Sequence, residues 1–298
     1  MRVAIAQMIV GNKIEENFKS IKCFAEIAKK NHVELIVFPE CSLTGYLGVS
    51  LDTLDRLDVR RVFKYLDEIS EIARNNELMI VVGQYIKRCG DWYNNLLFFD
   101  KKGKCKNSYD KSHLIDDDCY HVKPGNAPSV FNISGINFYL GICHDIRYPE
   151  HAMWGGINGA QIYINAFNGV RNLKDSVRVQ RTYDAMVTAR AIENGVYILA
   201  PNVANNEQMI RSQVISPQGD IIIYAKSKDE DLLICDIDES LAGSGWVKRR
   251  RSDIYNFDVA IREDSFFEKS YWQKEYYMIN HNEELYDIDL VKKINERN

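Results

Sequence analysis

Three side chains of complementary chemistry stand where strand-like runs of this sequence stop. Cys143 follows Phe138-Tyr139-Leu140-Gly141-Ile142, Glu40 follows Val33 to Phe38 after a proline, and Lys111 closes the stretch Lys104 to Asp110. The first two runs read as buried β-strands, because apolar residues crowd them without a break. Open α/β sheets gather their reactive groups at the carboxyl ends of strands. A carboxylate, an ammonium and a thiol at one rim make an acyl-transfer site. The carboxylate takes the thiol proton, the thiolate attacks a carbonyl carbon, and the ammonium faces the developing oxyanion. The backbone N–H of His144 is a second oxyanion donor in this reading. Singly the residues say little: Cys143 is one of seven cysteines, and a lone glutamate or lysine usually caps a helix or meets water.

The elements that must bring them together follow from periodicity. Residues 3–7 alternate as a strand, and Phe18, Ile21, Ala25 and Ala28 recur at helical spacing between Ile14 and Asn31. Strand 33–38, a helix striped by Val62, Leu66, Ile69 and Ala73, and strand 78–83 complete a β-α-β-α-β start, which implies parallel neighbours. Residues 94–100 and 104–111 flank Lys101-Lys102-Gly103 as a hairpin, and 211–215 and 220–225 flank Ser216-Pro217-Gln218-Gly219 as another. After Cys143, Tyr148-Pro149 bars helix at the tyrosine and suits a helix start at the proline. Strand 160–164, helix 178–193, strand 196–200 and strand 232–237 follow. No linker or repeat interrupts residues 1–255, so one domain is expected, with two sheets face to face and helices outside. Residues 256–298 are dense in aromatic side chains among charges, including Phe266, Phe267, Tyr271 and Trp272. They read as an extension packing on the domain or on a neighbouring subunit.

Composition narrows the function. With 298 residues, 46% hydrophobic and 27% charged, the chain has an ordinary soluble make-up, and a net charge of -4 gives no ground for nucleic acid or a membrane surface. No apolar run approaches the roughly 20 residues that span a bilayer. The amino terminus reads as a strand rather than a signal peptide. Seven cysteines without a CxxC pair argue against a disulfide framework and a zinc site, so a reducing cytoplasm is expected, with no metal.

The motifs, taken together, resemble the nitrilase (carbon–nitrogen hydrolase) superfamily. They are Phe38-Pro39-Glu40 with Leu43-Thr44-Gly45-Tyr46, Tyr109-Asp110-Lys111-Ser112-His113-Leu114, Pro124-Gly125, Gly141 to Glu150, Ala189 to Tyr197, and Arg250 to Tyr255. The resemblance implies a four-layer αββα sandwich, a Glu40-Lys111-Cys143 triad, no cofactor, and a homodimer or larger assembly. It implies pocket loops that here include Tyr46, Asn165-Ala166-Phe167-Asn168 and Asn202-Val203. Arg171 and Lys174 lie beyond one of these loops, either holding a substrate carboxylate or simply solvated. Two positions depart from the pattern. Asp118 stands where a glutamate is common, with Asp116 or Asp117 as alternatives, and His144 follows the nucleophile, either tuning the pocket or packing. Cys143-His144-Asp145 looks like the amidase and carbamoyl-amide branches rather than true nitrilases, which usually continue with Trp-Glu. The resemblance therefore implies hydrolysis of a small linear amide or N-carbamoyl compound through a cysteine thioester. Nitrile hydrolysis, acyl transfer by the same triad and a non-catalytic binding member are the alternatives.

Overall fold

The first strand, β1 (Arg2–Gln7), alternates its side chains between two cores. Val3 and Ile5 face one and Ala4 and Ala6 the other, all without exposure. This two-sided burial recurs along β2 (Leu35–Val37) and β3 (Met79–Arg88), as expected of strands covered on both faces. A computed structural model describes residues 1–126, 128–170, 176–243 and 249. The Arg250 to Tyr255 motif, Arg171, Lys174 and the aromatic extension 256–298 lie outside these residues.

Helices α1 (Ile14–Lys30) and α2 (Val59–Asn76) cover the outer face of the first sheet with the apolar stripes expected of them. Glu15 and Glu16 in the first turn of α1 and Lys29 and Lys30 in its last complement the helix dipole. Asp58 caps α2, accepting from the N–H groups of Arg60 and Arg61. The sheet continues through β4 (Asp91–Phe99) and β5 (Cys105–Asp110), with β12 (Asp231–Asp236) at its other edge, in the order β12-β1-β2-β3-β4-β5. Because β3, β4 and β5 pair antiparallel in turn, β5 runs in the same direction as β2. The carboxyl ends of β2 and β5 therefore open on one rim.

The second sheet has the order β11-β10-β9-β8-β7-β6. Its parallel centre is β7 (Ile136–Ile142), β8 (Ile162–Ala166) and β9 (Tyr197–Ala200). It is flanked antiparallel by β6 (Phe131–Ile133), β10 (Gln213–Ile215) and β11 (Ile221–Tyr224). Helices α4 (Pro149–Ile157) and α5 (Ser176–Asn194) pack on it, and β12 (Asp231–Asp236) returns to β1. Phe98 of the first sheet meets Phe131 and Phe138 of the second at centroid separations of 5.2 and 5.1 Å, joining the two inner faces. The layers are αββα.

Most boundaries moved by one to three residues, and three local differences have a physical reason. Strand β2 is three residues long, shorter than 33–38, because the chain turns early toward Glu40. Strand β3 runs to Arg88, since Cys89 and Gly90, both at positive φ, close a hairpin with β4 that residue type alone did not signal. A 3-10 turn, Cys143–Arg147, precedes the helix that starts at Pro149. Among the described residues no helix is long and apolar enough to cross a membrane.

Candidate active site

Glu40 leaves β2 in a turn that presses against β3. A Cβ on Gly83 would lie 2.6 Å from the Pro39 carbonyl oxygen and from the Cys41 nitrogen, so glycine is what lets the two segments touch. The Glu40 carboxylate is fully buried and hydrogen-bonded on both oxygens. Its Oε1 accepts from Lys111 Nζ at 2.7 Å and Asn94 Nδ2 at 2.8 Å, and its Oε2 accepts from the Asn168 N–H at 2.9 Å. Lys111 follows β5, anchored by its N–H to the Asn94 carbonyl. Its ammonium also reaches Asp118 Oδ2 at 2.9 Å and lies 5.3 Å from the centre of the Tyr46 ring. Asp118, at the start of the single turn α3 (Asp118–His121), accepts from Tyr85 Oη at 2.6 Å, Asn94 Nδ2 at 3.0 Å and Tyr46 Oη at 3.4 Å.

Two carboxylates around one ammonium set the electrostatics. Burial opposes the charge of Lys111, but Asp118 and Glu40 outweigh it and hold the lysine pKa well above its ordinary value. Burial raises the Glu40 pKa; Lys111 opposes that rise, and Asp118 adds to it. The Cys143 thiol is pushed well above the usual thiol range, first by burial and then by Glu40, against the pull of Lys111 and the Asn168 N–H. At neutral pH Cys143 is therefore a protonated thiol beside Glu40.

Cys143 itself sits at φ 45, in the left-handed region that costs an L residue roughly 1–2 kcal/mol. The turn is held from behind by Asp145. That buried carboxylate accepts from the Ile142 N–H at 2.9 Å and Tyr109 Oη at 2.7 Å, and from the His113 N–H and ring nitrogen at 3.0 and 2.7 Å. Asn165 Nδ2 donates to the Cys143 carbonyl at 3.3 Å. In front of the sulfur lies a cavity of about 340 Å³ whose wall includes Tyr46, Cys143, His144, Arg147, Asn168 and Tyr183.

The sequence model of the carbon-nitrogen hydrolase family matches residues 2–245. The chain belongs to that family. Among curated relatives, the hydrolase is 28% identical to nitrilase homolog 2 of Dictyostelium discoideum, over 85% of this chain and 81% of that one. It is 29% identical to the 2-oxoglutaramate amidase of Bacillus subtilis, over 76% and 86%. It is 26% identical to an omega-amidase of Saccharomyces cerevisiae, over 80% and 89%. An amidase from Nesterenkonia sp. shares the fold at a TM-score of 0.74, with 21% identity over 85% of this chain and 94% of that one.

The hydrolase brings Glu40, Lys111 and Asp118 into direct contact, with Cys143 beside Glu40. The shorter Asp118 reaches Lys111 without help from Asp116 or Asp117, which lie at the cavity wall. His144 both packs and lines the cavity, its ring edge-on to Tyr148 at 5.7 Å, and burial lowers its pKa to about 4. Tyr46 and Asn168 also line the cavity. Asn165 and Phe167 are fully buried behind it. Asn165 donates to the Cys143 carbonyl, and the Phe167 carbonyl accepts the Glu40 N–H while its ring meets Tyr183 edge-on. Asn202 is likewise behind the wall, accepting from the Gly169 N–H at 2.8 Å. Reading from sequence missed Asn94, Tyr85 and Asp145. The signal for Asn94 was an amide pair, Asn94-Asn95, interrupting an apolar strand, since a buried amide needs partners.

Proposed function

We propose that the protein hydrolyses the C–N bond of a small linear amide or N-carbamoyl compound, releasing ammonia through a thioester on Cys143. The observation that carries this reading is the fully buried Glu40-Lys111-Asp118 cluster meeting a thiol at a strained turn on the wall of a cavity. A buried ammonium flanked by two carboxylates is costly as a mere structural device, and strained non-glycine turns cluster at functional sites. The amidases among the relatives point the same way.

The chemistry follows from the charges. Glu40 takes the Cys143 proton as sulfur bonds to the carbonyl carbon, and the carbonyl oxygen gains the negative charge. Lys111 and the His144 N–H face that oxygen. The step moves one negative charge from Glu40 to the substrate oxygen beside Lys111, so the net charge of the site stays the same and no compensating ion has to enter. As the C–N bond breaks, the nitrogen takes the proton from Glu40 and leaves as ammonia. Glu40 then takes a proton from water, the hydroxyl oxygen bonds to the thioester carbon, and the C–S bond breaks with the proton returning to sulfur. Asp118 keeps Lys111 charged and oriented throughout.

An ammonia-release screen over matched amides, N-carbamoyl compounds and nitriles tests this. Release from amides or carbamoyl compounds that Cys143→Ala abolishes supports the reading; release that survives the substitution overturns the nucleophile. Nitriles alone as substrates would overturn the reaction class. The same reading takes the enzyme to be cytoplasmic and a homodimer or larger assembly. Tyr148, Trp154 and Ile157, which expose apolar surface around α4, support association, and light scattering on the purified chain measures it.

A further inference from the structure

Among the buried side-chain atoms without a hydrogen-bond partner, two belong to residues of the cavity wall, His144 Nδ1 and Asn168 Oδ1. They are not equivalent. The His144 imidazole, neutral with its pKa lowered to about 4 by burial, presents a donor or an acceptor according to tautomer. Asn168 has no such freedom. Its Nδ2 donates to the Glu40 backbone carbonyl at 3.2 Å, and a carbonyl only accepts, so the amide orientation is decided and Oδ1 is the atom left over. An amide oxygen only accepts in turn. Asn168 is 6% exposed.

The loop that carries Asn168 is pinned. Its own N–H is committed to Glu40 Oε2, and the next N–H, of Gly169, is held by Asn202. A Cβ on Gly169 would meet Ile210 Cδ1 at 2.4 Å, so the backbone there is packed against its neighbour. The orphan oxygen thus belongs to a pinned side chain of the cavity wall, held against Glu40, and lacks a donor.

We infer that Asn168 Oδ1 accepts a hydrogen bond from the nitrogen of the scissile amide or carbamoyl group and makes the site selective for a leaving nitrogen that bears hydrogen. The inference rests on the amidase reading of Cys143 and Glu40. A primary amide presents two N–H groups at its leaving atom. A nitrile presents only a nitrogen lone pair, and an ester only oxygen lone pairs, which would face Oδ1 lone pair to lone pair. A site built to bond a substrate N–H rejects analogues lacking it far more strongly than a merely apolar pocket would. The same bond turns the leaving nitrogen's remaining lone pair toward Glu40, where the departing group is protonated.

The test uses one short straight-chain acyl group presented as primary amide, methyl ester and nitrile, with kcat/KM measured for each on the full-length protein and on Asn168→Leu. The substitution preserves side-chain bulk and removes Oδ1 together with the Nδ2 contact. The expected result is that amide turnover falls at least about 100-fold more than ester turnover, so the amide-to-ester ratio collapses. An equal loss on both substrates marks Asn168 as purely structural and overturns the inference while leaving the amidase reading in place. No ammonia from any amide with the unsubstituted enzyme removes both together. A second measurement does not depend on Asn168→Leu folding. Cys143→Ala, which cannot turn over, binds the amide at least about tenfold more tightly than the matched nitrile by calorimetry, and equal affinities refute the bond.

Discussion

Asp145→Ala probes the turn that presents the nucleophile. The lost carboxylate accepts four hydrogen bonds, but their losses are unequal. The Ile142 N–H is fully buried and has no substitute partner, which costs about 1–3 kcal/mol. Tyr109 Oη keeps His151 Nε2 and Ser112 Oγ, both at 3.0 Å, and gives up only the charged acceptor, about 1 kcal/mol. His113, its side chain 32% exposed, recovers much of its bonding from water. The total is about 2–4 kcal/mol, read as a fall in the urea midpoint with an unchanged slope. Asp145→Asn keeps one accepting oxygen and loses about half as much. The pH dependence has a definite sign. Burial raises the Asp145 pKa, but His151, the His113 ring and the Ile142 N–H outweigh it and hold the carboxyl below its ordinary 3.8. Its stabilisation is therefore complete above that value and lost as pH falls through the lower folded one, so the deficit of Asp145→Ala shrinks toward strongly acid pH. The folded fraction of Asp145→Ala also turns over more slowly, because φ 45 at Cys143 is no longer enforced. A deficit under about 1 kcal/mol at pH 7, or full activity per folded molecule, would refute the view that Asp145 holds the turn.

Three further outcomes follow from the same geometry. The acid limb of kcat/KM lies above the ordinary glutamate value of 4.5, because burial and Asp118 raise the Glu40 pKa against Lys111 and the base must be deprotonated; a limb at or below 4.5 contradicts Glu40 as base. Asp118→Glu, though it restores the residue common in the family, forces a methylene among Tyr85, Tyr46, Asn94 and Lys111, costing about 1–3 kcal/mol and lowering turnover; an equally stable and active variant shows that packing does not set the shorter acid. A bulky maleimide at pH 7 labels the exposed Cys23 and Cys89 before the buried, protonated Cys143, checked by peptide mass spectrometry; preferential labelling of Cys143 means the resting thiol is already ionised.

Much of the architecture was legible because its signals are local. Apolar stripes placed α1 and α2, and the abrupt ends of apolar runs flagged Glu40 and Cys143. The pairing of Glu40 with Lys111 was anticipated on the assumption of a single rim, whereas the nucleophile comes from the other sheet. Cross-strand direction decides such matters, and the β3-β4 hairpin that turns β5 to run with β2 had only Cys89-Gly90 to announce it. Asp145 was hidden for a different reason. A carboxylate within two residues of a nucleophile reads as a substrate or solvent contact, and only the fold reveals that it points backward, to Ile142 and Tyr109. Phe167 was expected at the pocket because the family resemblance implied that its whole loop lines it; a loop that lines a cavity with Asn168 buries the preceding Phe167.

The two six-stranded sheets contribute unequally to the reactive groups, and by order of synthesis. Glu40, Lys111 and Asp118 all precede residue 126, whereas the sulfur, the turn behind it and the loop that clamps Glu40 all come later. A nascent chain made only as far as residue 126 therefore carries the acids and the amine without the sulfur, with one clamp missing and with the first sheet still short of its edge strand β12. Chemical competence arrives as a late event of biogenesis, so a truncated product is inert rather than promiscuous.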